Sequence, residues 1–171
     1  MLNFKKATRD DARAALEIRN AAILNQCVGC YPMEALKIWA SDELSESFKD
    51  TVEKHFYIAV DCNQMIGTGM INIETGKIDA VFVHPDHMRK SIGRRIVQFL
   101  EEIAQRHGLE ILSLKSTLNA AVFYRACGFE GNEASVYISS KGVPLDCILM
   151  IKKISPKQAL QPPTKSGAAE L

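Results

Sequence analysis

Arg89, Lys90, Arg94 and Arg95 crowd around two small residues, Ser91 and Gly93. They stand where the strand-like run Val81-Phe82-Val83 gives way to the cleanest helical stripe in the chain: Ile92, Ile96, Phe99, Leu100, Ile103 and Ala104. A helix N-terminus carries unpaired N–H groups and partial positive charge, so it is a ready anion site. Cations at a helix start are unfavourable unless an anion joins them, and a pyrophosphate would welcome these. From residue types alone, this segment is a phosphate cradle.

A second cluster lies one strand and one turn later: Asn119-Ala120-Ala121-Val122-Phe123-Tyr124-Arg125-Ala126-Cys127-Gly128-Phe129. Asp79 lies inside Ile78-Asp79-Ala80-Val81-Phe82, where a carboxylate is unusual unless it faces a cleft or a partner. It reads either as a general base or as a paired structural acid. Glu74 is the second candidate base, and His84 the third, for its near-neutral pKa. Side-chain alternation puts Lys77, Asp79, Val81 and Val83 on one face unless a bulge intervenes.

The strand, the loop Met88-Arg89-Lys90-Ser91-Ile92-Gly93 and the Phe-Tyr…Gly-Phe segment together resemble the GNAT superfamily of acetyl-CoA-dependent N-acetyltransferases. The loop departs from the family pattern twice. Met88 stands where Gln or Arg is usual, and Ser91 stands where the first Gly is usual. A Cβ at Ser91 costs energy if the backbone there needs positive φ. The resemblance implies cofactor contacts from Val81, Phe82, Val83, Met88, Arg89, Lys90, Ser91, Ile92, Gly93, Arg94, Asn119 and Tyr124. In such proteins the loop N–H groups hold the pyrophosphate and the Asn meets the pantetheine arm. The Tyr protonates the departing thiolate, and a backbone N–H of the preceding strand, here Val81, Phe82 or Val83, meets the oxyanion. The catalytic set is therefore Tyr124, Asp79 and Glu74. The cosubstrate is acetyl-CoA, with no metal, and the acceptor is a small-molecule or protein amine. The rival reading is a non-catalytic acyl-CoA-binding or sensing module with a degenerate phosphate loop. A nucleotide-dependent enzyme using this loop as a P-loop is the weakest reading, because G-x-x-x-x-G-K-[ST] is absent.

These groups need a scaffold to position them. Residues 2–6 read as a strand, and Thr8 as the N-cap of a helix. Pro32 opens a short helix through Trp39, and Ser41 caps a further one with the stripe Leu44, Phe48 and Val52. Residues 56–60, 65–73 and 77–83 form an antiparallel meander around turns at Asp61-Cys62-Asn63-Gln64 and Thr75-Gly76. After the central helix, stopped by Gly108, come a strand at 110–116, a helix at 119–127 and a hairpin around Lys141-Gly142-Val143-Pro144. The expected order is β-α-α-β-β-β-α-β-α-β-β. That is an α/β (α+β) mixed sheet, the GNAT-like acyl-CoA N-acyltransferase fold. Residues 1–154 form the domain and 155–171 a flexible tail.

With 171 residues, 47% of them apolar, one domain with a full core is expected. Net charge is +1, which gives no field for nucleic acid or an acidic membrane. No apolar run reaches the roughly 20 residues that span a bilayer. Five cysteines without a leader-like start point to the cytoplasm. Cys27-Val28-Gly29-Cys30 lacks a second ligand pair and reads as ordinary reduced thiols. A homodimer is the default assembly. Trp39 reads as either lining the acceptor site or packing in the core.

Overall fold

The computed structural model describes residues 1–157. Its elements are β1 (Asn3–Lys6), α1 (Ala12–Gln26), α2 (Met33–Trp39), α3 (Glu46–His55), β2 (Phe56–Asp61), β3 (Gln64–Asn72), β4 (Lys77–Val83), α4 (Ile92–Arg106), β5 (Ile111–Thr117), α5 (Ala121–Ala126), β6 (Glu130–Ile138) and β7 (Pro144–Lys153). Short 3-10 turns at Arg9–Asp11, Pro85–His87 and Leu118–Ala120 link them. The sheet runs β1-β2-β3-β4-β5-β7-β6, antiparallel except between β4 and β5. This is the mixed α/β class expected; the three helices read one by one between β1 and β2 are all present, where the expected element order counted two. The expected tail at 155–171 lies mostly outside the described residues.

Local chemistry sets the boundaries. Thr8 opens the N-terminal turn, its N–H and hydroxyl both donating to Asp11 Oδ2 at 2.8 and 2.9 Å. The cap of α3 is Ser45, not Ser41: Ser45 Oγ accepts from Phe48 N–H at 3.1 Å. Ser41 instead donates to Ile38 O at 2.6 Å and closes α2. Asp42, which would have begun a helix capped by Ser41, is drawn off by Arg19 and Ser140. Cys62 and Asn63 both take positive φ (48° and 63°), as a two-residue turn between β2 and β3 requires.

Helix α4 fills one face of the sheet, burying Ile92, Ile96, Val97 and Leu100 against Ile71, Ile78, Leu112, Leu114 and Met150. It sits close because β3 presents Gly69 there; a Cβ would fall 2.7 Å from Ile96 Cγ2. The opposite face carries two clusters. One packs Ala12, Ala15 and Val52 on Phe56 and Ile58. The other packs Ile23, Cys27, Tyr31, Leu36 and Trp39 on Leu145.

The site is created by two irregularities of β4. Met70 pairs with Ala80 and Ile71 with Ile78, so Asp79 is the extra residue of a bulge. A bulge bends its strand and shifts alternation by one. The expected shared face for Lys77, Asp79, Val81 and Val83 is therefore corrected. Ile78, Val81 and Val83 pack toward α4, while Phe82 packs on the other face. Beside the bulge, the parallel pairing of β4 with β5 runs only through Lys77↔Ser113 and Ile78↔Leu114. Beyond these residues the two central strands part.

Candidate active site

The split between β4 and β5 opens into a cleft of about 660 Å³. Its walls include Asp79, Val81 and Phe82 on one side and Lys115, Thr117 and Asn119 on the other. Arg19, Trp39 and Tyr137 form the roof. Val83 lies just past this lining, its side chain in the core.

At the end of β4 the chain makes a 3-10 turn in which His84 Nδ1 accepts from Asp86 N–H at 3.2 Å. This holds His84 in the turn, away from the cleft lining. The next residues adopt unusual backbone: Arg89 has φ 61° and Ser91 φ 59°. Each costs about 1–2 kcal/mol for a residue with a Cβ. Among the described residues no acceptor is paired with the N–H of Arg89, Lys90, Ser91, Ile92, Gly93 or Arg94. The first N–H to rejoin the helix ladder is that of Arg95, bonded to Ser91 O at 3.1 Å. Six consecutive free donors at a helix start form an anion nest.

Met88 stands apart from this set. Its N–H closes the turn onto Pro85 O at 3.2 Å, and its sulfur accepts from Gln26 Nε2 at 3.2 Å. The basic side chains also divide. Arg94 donates to Ala126 O at 3.0 Å at the end of α5, and Arg95 lies over the Phe4 ring at 5.6 Å. Arg89 and Lys90 remain exposed beside the nest. Gly93 is small for a packing reason, since a Cβ there would meet Phe123 Cζ at 3.2 Å.

Tyr124 is 8% exposed and lines the cleft, its ring wedged edge-on between Phe123 and Phe129. Burial pushes its phenol well above the ordinary range, and Cys127 adds to the rise. Among the described residues its hydroxyl has no hydrogen-bond partner. The hydroxyl is open to the cleft rather than sealed, since the one fully buried side-chain polar atom without a partner among the described residues is Thr68 Oγ1. From the cleft wall it can donate to a ligand atom. The raised pKa keeps the phenol neutral and able to donate a hydrogen bond to a departing thiolate; full proton transfer to sulfur requires a dry site that raises the thiol's own pKa as well.

The two candidate bases part company. Asp79 lines the cleft and pairs with Lys77 Nζ at 2.7 Å. Glu74 lies in the exposed turn after β3, its N–H bound to Asn72 Oδ1 at 2.9 Å, and it is not part of the lining. The strand ends one residue earlier than the sequence suggests because Asn72 turns the chain with its own side chain.

Two roles, those of Gln26 and Tyr31, were not visible in the sequence, and both expectations for Trp39 hold together. Gln26 Nε2 donates to Val83 O at 3.2 Å as well as to Met88. The Tyr31 hydroxyl donates to Asp146 O at 2.6 Å and accepts from Leu118 N–H at 3.0 Å. Trp39 is both core and lining, 6% exposed and edge-on to Tyr31 and Tyr137. The only sequence signal was a polar residue ending an apolar helical stripe. Burial raises the Cys27 thiol to about 11, with Cys30 adding to the rise and a hydrogen bond with Asn119 opposing it. Cys27 and Cys30 are both free thiols.

A parted parallel strand pair, an anion nest at the next helix and an unpaired tyrosine in the cleft define an acyl-transfer architecture. Residues 53–131 match the family described as "Acetyltransferase (GNAT) domain". A protein of Bacillus subtilis (strain 168), "Putative acetyltransferase BSU40680", is 29% identical over 89% of this chain and 97% of its own. A GCN5-related N-acetyltransferase from Rhodopseudomonas palustris superposes with a TM-score of 0.82 at 23% identity, covering 89% of this chain and 95% of the other. The PaiA N-acetyltransferase of Thermoplasma acidophilum, solved in complex with coenzyme A, superposes with a TM-score of 0.70 at 18% identity over 90% and 99%. The chain thus has the fold of the GNAT acetyltransferases, and its residues 53–131 match their domain model.

Proposed function

We propose that the protein transfers the acetyl group of acetyl-CoA to a primary amine by direct attack on the thioester. The observation that carries this is the unpaired Tyr124 hydroxyl in a cleft whose entrance strand leads into six free N–H groups. The nest suits a pyrophosphate, and the parted strands leave room for a narrow pantetheine arm. The coenzyme A complex of the Thermoplasma relative agrees with this reading.

Acetyl-CoA supplies the activated acetyl group. The backbone of residues 89–94 holds the diphosphate, with Arg89 and Lys90 adding charge beside it. The Asn119 amide, at the cleft wall, meets the arm. A lysine-like amine has a pKa of about 10.4 and must shed a proton to attack. Asp79, paired with Lys77 Nζ at 2.7 Å, accepts that proton directly or through water. A backbone N–H of Val81, Phe82 or Val83 steadies the oxyanion. As the C–N bond forms and the C–S bond breaks, Tyr124 gives its proton to sulfur. The five free cysteines suit the reducing cytoplasm.

Thermal unfolding with acetyl-CoA, CoA and ATP tests the cofactor. A ligand at 100 times its Kd stabilises by about 2.7 kcal/mol. The expected result is a shift with both CoA species and none with ATP, followed by release of free CoA across an amine panel. Absence of a shift with either CoA species overturns the reading. A shift without CoA release from any amine reduces the protein to an acyl-CoA-binding module.

A further inference from the structure

The turn joining α1 to α2 crosses the gap between β4 and β5 and is fastened on both sides. On the β4 side, Gln26 Nε2 donates to Val83 O and to Met88 Sδ, each at 3.2 Å. On the far side, Tyr31 Oη accepts from Leu118 N–H at 3.0 Å and donates to Asp146 O at 2.6 Å. Leu118 begins the turn that carries Asn119, and Asp146 belongs to β7. Between the two anchors the turn is short and closed on itself. Cys30 N–H bonds to Cys27 O at 3.2 Å, and Val28 bridges Tyr31. Cys27, 5% exposed, fills its underside.

The pairing of β4 with β5 stops at Ile78 and Leu114. Apart from this turn, which also reaches Asn119 through Cys27, the hydrogen-bonded link among the described residues between the segments that follow the two strands is Arg94, which donates to Ala126 O farther along at the end of α5. A sheet whose central strands separate has lost the ladder that normally fixes strand spacing. A short stiff turn bonded to both strand ends restores that constraint from above. We propose that the 26–31 turn is a clip that sets the width of the cleft, with Gln26 and Tyr31 as its two positioning residues. Through this clip the phosphate loop after β4 and Asn119 after β5 are held at a fixed separation. Neither residue has a reacting atom to act on; each acts through the strand end it holds.

A clip works only while both ends are fastened, which gives a sharp test. In Gln26→Leu, amide hydrogen exchange at Leu118 should quicken by about tenfold or more, although Gln26 touches neither Leu118 nor its strand. Leu112 and Leu114, earlier in the same strand, serve as internal controls for global opening and should not change. Unaltered exchange at Leu118 in this variant overturns the proposal, whether or not the protein binds CoA.

The consequence for the cofactor rests on the acetyl-CoA reading and is measured separately, as CoA affinity by calorimetry. Gln26→Leu and Tyr31→Phe should each weaken CoA about 5–20-fold, and the double variant should be no worse than the weaker single one. If the two losses multiply, the residues act locally and the clip is refuted. If wild-type protein binds no CoA, the functional reading fails while the exchange result still decides the clip.

Discussion

The two sides of the cleft are built in opposite ways. The cofactor side is one continuous stretch, from β4 through the loop into α4, and it offers mostly backbone. The roof is assembled from Arg19 on α1, Trp39 on α2, Tyr137 on β6 and Leu145 on β7, and it offers only side chains. The family match at residues 53–131 covers the first side and omits α1, α2 and β7. A site made of N–H groups tolerates changes of side chain, so Met88 and Ser91 can stand in the loop without closing the nest. A roof made of side chains changes its preference with each substitution. On the acetyl-transfer function proposed above, cofactor recognition belongs to the first region and acceptor choice to the second.

The largest separation of the two should come from the cleft floor. Tyr124→Phe keeps the ring between Phe123 and Phe129 but removes the hydroxyl proposed to protonate sulfur. Turnover should fall about 10²-fold, the low end for a positioned acid, with CoA affinity unchanged. A wild-type rate across pH would remove Tyr124 from the chemistry. Next in size is the roof. Trp39→Phe should raise the amine KM about tenfold, the low end for one lost pocket contact, and leave the KM for acetyl-CoA where it was. If instead the acetyl-CoA KM rose, the division of labour between the two sides would be wrong.

The same contrast decided what could be read from the sequence. The strand at 77–83, the stripe from Ile92 and the stop at Gly108 were all legible because strand, loop and helix signals are local. Ser91 was flagged for its Cβ, and the structure does place it at φ 59°. The roof was not legible. Ser41 and Ser45 both look like caps, and only the tertiary pull of Arg19 and Ser140 on Asp42 decides between them. The bulge at Asp79 depends on how β3 pairs with β4, so the shared face of Lys77, Asp79, Val81 and Val83 could not survive. Gln26 and Tyr31 carry no motif, since their partners lie 57 and 115 residues away.

A smaller effect follows from the protons held beneath the roof. Burial keeps Cys27 neutral up to about 11, against 9.0 ordinarily, and Tyr31 up to about 12, against 10.0. In the unfolded chain these groups ionise first. Their contribution to stability is therefore intact below about pH 9 and is lost as pH rises through the folded values. Each group should contribute a decline of about 1.4 kcal/mol per pH unit within its window. Urea midpoints between pH 8 and 11 measure the slope. Cys27→Ala should flatten it between about pH 9 and 11, and an unchanged slope would assign the loss to other groups.

The smallest effect tests the tolerance of the loop itself. Ser91 at φ 59° bears a left-handed penalty of about 1–2 kcal/mol. Glycine would remove that penalty but add roughly 0.5–1 kcal/mol of freedom to the unfolded chain. Ser91→Gly should therefore stabilise the protein by about 1 kcal/mol or less, read as a small rise in Tm. CoA binding should tighten only a few-fold, because the six N–H groups are already free with serine in place. A hundredfold gain would mean that the serine side chain had been obstructing the nest. The loop would then depend on its side chains as the roof does, and the difference between the two sides of the cleft would disappear.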